Sequence, residues 1–203
     1  MRSLIAVLAA VPSLVLAYLL VNVWLDPMAW SEGSWVPYGV GLLLMEFLIL
    51  HSSVFIAVSA EGAGSLAGKL LRFAGLAALY GLMGLGFALA TDSPSLLWVL
   101  IAIMGARFAN AIRANIDHDS RFAQRAALGV VAYLGVAAFT IAVDVPPMGI
   151  TQEVLDEVYP GRGGGLWEQE PERAIVGGAI YFALMGIAEL VWGVRTAAAP
   201  SRA

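Results

Sequence analysis

Long apolar runs alternate with short polar or proline-bearing segments along the whole chain. A helix needs about 20 consecutive apolar residues to cross a hydrocarbon core about 30 Å thick. The pattern therefore predicts six membrane-spanning helices, over residues 4–25, 37–59, 66–90, 95–113, 123–143 and 173–194. Residues 4–25 follow a single early Arg2, as the apolar region of a signal peptide does. The run is too long for one, however, and lacks a small-residue cleavage site before Asp26 and Pro27, so it reads as a retained span with a bend at Pro12. Lys69 and Arg72 stand close enough to the start of the third span to snorkel toward headgroups. Asp144 and Pro146–Pro147 end the fifth, because consecutive prolines remove helix hydrogen bonds and restrict the preceding backbone.

Residues 144–172 form the longest connection, an acidic loop that includes the run Gly161–Arg162–Gly163–Gly164–Gly165. Thr151 is placed to cap a short surface helix beginning at Gln152, its hydroxyl accepting a free N–H of the first turn. The glycine run lacks the Gly-Lys-Ser or Gly-Lys-Thr ending of a phosphate loop, so it reads as a bend that brings Trp167 to the membrane interface. The fold class is all-α: a polytopic integral membrane helical bundle, residues 1–203 forming one membrane domain.

Charge gives the orientation. With six spans, Arg2, Lys69, Arg72, Arg113, Arg121, Arg125, Arg195 and Arg202 share one side, and they are eight of the 11 Lys and Arg residues. That side faces the cytoplasm by the positive-inside tendency, which places both termini there and the chain in the plasma (inner) membrane as a multi-pass protein. Trp24, Trp30, Trp35, Tyr38, Trp98, Tyr159 and Trp167 collect at the opposite edge, where ring bodies meet lipid and N–H or O–H groups stay wet. Composition agrees, with 60% hydrophobic and 13% charged residues among 203. A net charge of −4 argues against nucleic acid as a partner, since binding phosphate needs a dense basic patch. The absence of cysteine removes disulfides, thiolate metal sites and cysteine nucleophiles. Expected partners are membrane lipid and a membrane-protein partner or a second copy.

A few polar residues fall inside the spans. Glu46 lies about nine residues into the second, Arg107 about twelve into the fourth and Glu189 about fifteen into the sixth. All three spans run in the same direction, so these depths are comparable, and the Arg107 fork suits a carboxylate partner that lowers the cost of burying either charge. His51 follows Glu46 by five residues, rotated about 140° from it, and addresses another helix or a cavity. Asn110 continues a polar stripe from Arg107 toward Arg113. Glu46, His51, Arg107, Asn110 and Glu189 form the candidate polar or proton-handling cluster. Ser52–Ser53 has no positioned base, and Asp117–His118–Asp119 is a weak ligand set. No cofactor and no metal site are predicted; metal and haem stay open only through His51 and His118, one in a span and one in a loop.

Three functions are compatible with this pattern. A noncatalytic, partner-associated subunit or scaffold uses the buried charges to hold helices together. A proton-coupled transporter or small-molecule-binding membrane protein uses Glu46 and Glu189 as contacts, Arg107 as counterion and His51 as relay. A membrane enzyme acting on a lipid or quinone has the least support, because no complete nucleophile and base accompany these residues.

Overall fold

A computed structural model of the chain describes residues 2–61, 66–90 and 121–198. These form helices α1 (Arg2–Leu25), α2 (Trp35–Glu61), α3 (Leu66–Ala90), α4 (Arg121–Ala142), α5 (Gln152–Val158), α6 (Leu166–Gln169) and α7 (Pro171–Ala198). Two 3-10 turns, Pro27–Ala29 and Ser31–Gly33, join α1 to α2. The protein is all-α over these residues. Among them one helix, Pro171–Trp192, is long and apolar enough to cross a membrane, with shorter apolar stretches at Ala10–Leu25, Trp35–His51, Ala74–Met83 and Ala127–Ala142. The expected span at 95–113 lies outside the described residues.

The described residues of Met1–Leu44 and Ala132–Ala203 make one compact unit, and those of Met45–Val131 a second. In the first unit α1, continuous through Pro12, packs along α7. Ala10, Ala17, Leu20 and Val23 of α1 are buried, spaced at three and seven residues as one helical face requires. α7 meets α1 through glycine. A methyl group added at Gly186 would stand 2.7 Å from the Leu14 side chain, and one at Gly178 would stand 2.9 Å from Leu20. The neighbouring Gly177 faces the other way, 3.1 Å from Thr140 and 3.3 Å from Val136 of α4 by the same measure. Each glycine costs about 1 kcal/mol of helix propensity relative to Ala. Close backbone approach is the compensation, and it lets α7 pack against α1 and α4 at once.

The end of α1 is tied to the segment after α4. Trp24 Nε1 donates to Pro146 O at 2.7 Å, and Gly149 N donates to Trp24 O at 3.1 Å. Beyond this tie Thr151 caps α5, its hydroxyl accepting from Val154 N at 3.4 Å. Buried Val145, Ile150 and Leu155 give this cap segment, residues 143–170, apolar anchors of its own.

Arg173 joins α4 to α7. Its Nη1 donates to Thr140 O and Val143 O, both at 2.7 Å, so it takes up carbonyls that the end of α4 leaves without intrahelical partners. Its Nη2 donates to Asp144 at 3.2 Å, and its Nε to the Glu170 carboxylate. A cation is favoured at a helix C-terminus, and the rigid guanidinium fork reaches several acceptors that an ammonium cannot span. Pro171 opens α7, where its missing N–H leaves nothing unsatisfied.

The first unit is also apolar on its outward faces. Leu8, Val11, Val15, Tyr18 and Leu25 of α1 are exposed, as are Leu134 and Ile141 of α4 and Leu184, Ile187 and Val191 of α7. Tyr18 is 65% exposed and Ile141 62%. In the second unit α3 exposes Leu71, Leu79, Leu82 and Leu85, while Tyr80 is buried.

Two contrasts check this packing by thermal unfolding in one detergent. Arg173→Ala is expected to lower the midpoint by roughly 5 °C. Asp144→Asn is expected to change it by about 1 °C or less, because the Asp144 side chain is 99% exposed and such pairs contribute little. Gly186→Ala should destabilise by about 1–3 kcal/mol through overpacking. Gly75→Ala, at a position with nothing within 4 Å, should stabilise by up to about 1 kcal/mol. Equal effects at Gly186 and Gly75 contradict the close approach of α1 and α7.

Candidate functional site

Of the residues expected to form the polar cluster, Glu46 and His51 lie on α2 in the second unit and Glu189 on α7 in the first. Arg107 and Asn110 lie outside the described residues. Glu46, His51 and Glu189 are all half-buried, and Glu46 and Glu189 each have an interaction partner. His51 Nδ1 stands 3.1 Å from Phe47 O, one turn back on the same helix. A carbonyl oxygen only accepts, so Nδ1 carries a proton in this contact. The imidazole also lies against the Phe47 ring, with centroids 3.9 Å apart and planes tilted by 49°. α2 thereby fixes the ring orientation.

The first unit brings together a group that the sequence did not single out. Tyr133 of α4 meets Tyr181 of α7 edge to face, with centroids 5.7 Å apart, and its hydroxyl donates to Leu43 O of α2 at 3.1 Å. Leu43 is eight residues from the start of α2, Tyr133 nine from the end of α4 and Tyr181 ten from the start of α7. At the usual rise these are depths of about 12, 13 and 15 Å, one level inside the unit. Trp167 of α6 reaches that level, its ring 6.4 Å from Tyr133 and nearly perpendicular to it at 82°.

Trp167 differs from the expectation of a wet interfacial indole. Its Nε1 is buried and has no hydrogen-bond acceptor. An unsatisfied buried donor costs about 1–3 kcal/mol, whereas an edge-to-face aromatic pair contributes about 0.5–1.5 kcal/mol beyond the burial of its area. The Gly163–Gly165 run lets the chain turn α6 inward. Glu168 then reaches back, its carboxylate accepting from Gly165 N at 3.1 Å, so α6 satisfies its own first turn. The downstream end is held by Glu170 on Arg173.

Electrostatics around the cap segment are local. Arg162 pairs with Asp156 at 3.4 Å, and Asp156 also accepts from Gln152 at 2.7 Å. Burial raises the Tyr159 phenol above its ordinary value and nearby Glu168 adds to the rise, while Arg162 opposes it. Tyr159 therefore stays neutral at physiological pH.

The Phe47 bond has a direct check. With 15N-labelled histidine, His51 should show a protonated Nδ1; a bare Nδ1 excludes the Phe47 bond. Compared with known protein families, curated proteins and solved structures, the chain matches none of them.

Proposed function

We propose that the chain is a six-span membrane protein of the plasma (inner) membrane with both termini cytoplasmic. In this reading it is a noncatalytic subunit or scaffold that associates with a membrane-protein partner or a second copy. The observation that carries the reading is the apolar character of α1, α4 and α7 on the faces they turn away from their own unit, from Leu8 to Leu25, at Leu134 and Ile141, and from Leu184 to Val191. A helix apolar on both faces requires an apolar medium outside as well as a packed neighbour inside. Lipid supplies that medium, and a helical partner competes with lipid for the same face through close packing.

The interior of the first unit favours a fixed element. The Gly177, Gly178 and Gly186 contacts and the Arg173 clamp leave little freedom for α7 to slide past α1 or α4. Glu46, Arg107 and Glu189 are assigned to helix packing, and Asn110 to the cytoplasmic end of its span. A proton-coupled transporter is the second reading, favoured by His51 alone, an imidazole held through Nδ1 on a half-buried stretch of α2.

Because the chain has no cysteine, each introduced thiol is the sole reporter of its position. A membrane-impermeant maleimide is expected to label Glu157→Cys on intact cells, and to label Ala63→Cys and Ala197→Cys only after permeabilisation. Proteoliposomes of the purified chain should leave an imposed proton gradient standing. Labelling of Ala63→Cys from outside rejects the six-span arrangement. Collapse of the gradient, abolished by Glu46→Gln, replaces the scaffold with the transporter.

A further inference from the structure

We propose that the outward stripe of α1 is the seam of a parallel homodimer, a reading that rests on the membrane assignment above and names the second copy as the partner. Leu8, Val11, Val15, Tyr18, Asn22 and Leu25 succeed one another at alternating intervals of three and four residues. That is the heptad spacing along which two like helices pack in a left-handed pair. Five of the six are exposed, Tyr18 most of all, and Asn22 is half-buried. At about 100° per residue the stripe lies on the side of α1 opposite Ala10, Ala17, Leu20 and Val23, which are buried in the first unit. The chain's own packing thus leaves the seam largely uncovered.

Two polar groups on the seam select what covers it. Asn22 Nδ2 donates to Tyr18 O at 2.7 Å, one turn back, and its Oδ1 takes no donor among the described residues. The Tyr18 hydroxyl has no partner among them either. Tyr18 stands about 12 Å below Asp26 along the axis, and helical side chains slant toward the N-terminus, which for α1 is away from the outer surface. Its hydroxyl thus lies in hydrocarbon, where an unmade hydrogen bond is costly. Two copies of the chain insert with one orientation, so a two-fold axis along the membrane normal brings each seam residue to its own counterpart at equal depth. Leu8, Val15 and Asn22, spaced by seven residues, meet their equals, and so do Val11, Tyr18 and Leu25. A phenol and a primary amide each carry both donor and acceptor, so each can bond its own counterpart across the axis. Lipid chains and an apolar helix leave both groups unmet. A single Asn in an otherwise apolar seam also fixes the register and the number of copies.

The test introduces single thiols into the otherwise cysteine-free full chain and oxidises them in native membranes. Disulfide-linked dimers are expected at Val11→Cys and Val15→Cys. None is expected at Leu16→Cys, which faces away from the seam, nor at Ile141→Cys and Leu184→Cys on the exposed faces of α4 and α7. Asn22→Leu should weaken dimerisation by about threefold to tenfold, read as energy transfer between copies labelled at Ala197→Cys and diluted into lipid. Linked dimers at Ile141→Cys or Leu184→Cys alone overturn the seam and leave partner association standing. Equal yields at Val15→Cys and Leu16→Cys, or a chain that links at none of these positions, overturn it as well. So does unchanged energy transfer in Asn22→Leu, since the amide then meets no counterpart. Labelling of Ala63→Cys stays the separate measure of the six-span arrangement, so failure of the seam and failure of that arrangement are distinguishable.

Discussion

The first unit depends on the guanidinium of Arg173 reaching the open carbonyls at the end of α4. Those carbonyls come at a point where Pro146 and Pro147 forbid further helix, so α4 itself cannot satisfy them. Arg173 supplies the donors from the first turn of α7, and in doing so fixes where α7 begins relative to α4. Its remaining donors hold Asp144 and Glu170, which sets the two ends of the cap segment. One side chain thus terminates a helix, registers a second and closes the loop between them. The ion pair with Asp144 is the least of these contacts, because that carboxylate is almost wholly in solvent.

Packing then follows from where small residues fall on α7. Gly177 and Gly178 point to different neighbours, so a single helix serves two interfaces without a bulky residue between them. The inward face of α4, Tyr133, Val136 and Thr140, repeats at three and four residues and meets this surface. Thr140 is fully buried, and its hydroxyl is satisfied within its own helix by Ala137 O at 3.0 Å. No polar atom of that side chain asks anything of α7.

What could be read from the sequence was local in origin. Apolar runs of helical length give α1, α2, α3, α4 and α7, and a Thr one position before an acidic helical stretch gives the α5 cap, because propensity and capping act over a few residues. The Arg173 clamp was not legible: its carbonyl acceptors are 30 and 33 residues away and carry no side-chain signature. The same holds for Trp167, which by position belongs with the interfacial aromatics and by contact belongs with Tyr133, 34 residues earlier on another helix. Among the expected cluster, His51 gained a bond along its own helix, a contact the i to i−4 spacing permits but does not require.

The tie between Trp24 and the segment after α4 has a bearing on assembly order. Trp24 gives its indole N–H to a carbonyl 122 residues later, and α1 packs on α7, the last of the described helices. Closing a loop of that size costs on the order of 4 kcal/mol of chain entropy, which only a finished interface recovers. At about 5–20 residues per second of synthesis, α1 waits many seconds for the helix whose glycines receive Leu14 and Leu20. During that interval its leucine ridge has no α7 groove to enter and must be sheltered by something else, lipid or chaperone, until α7 has been made.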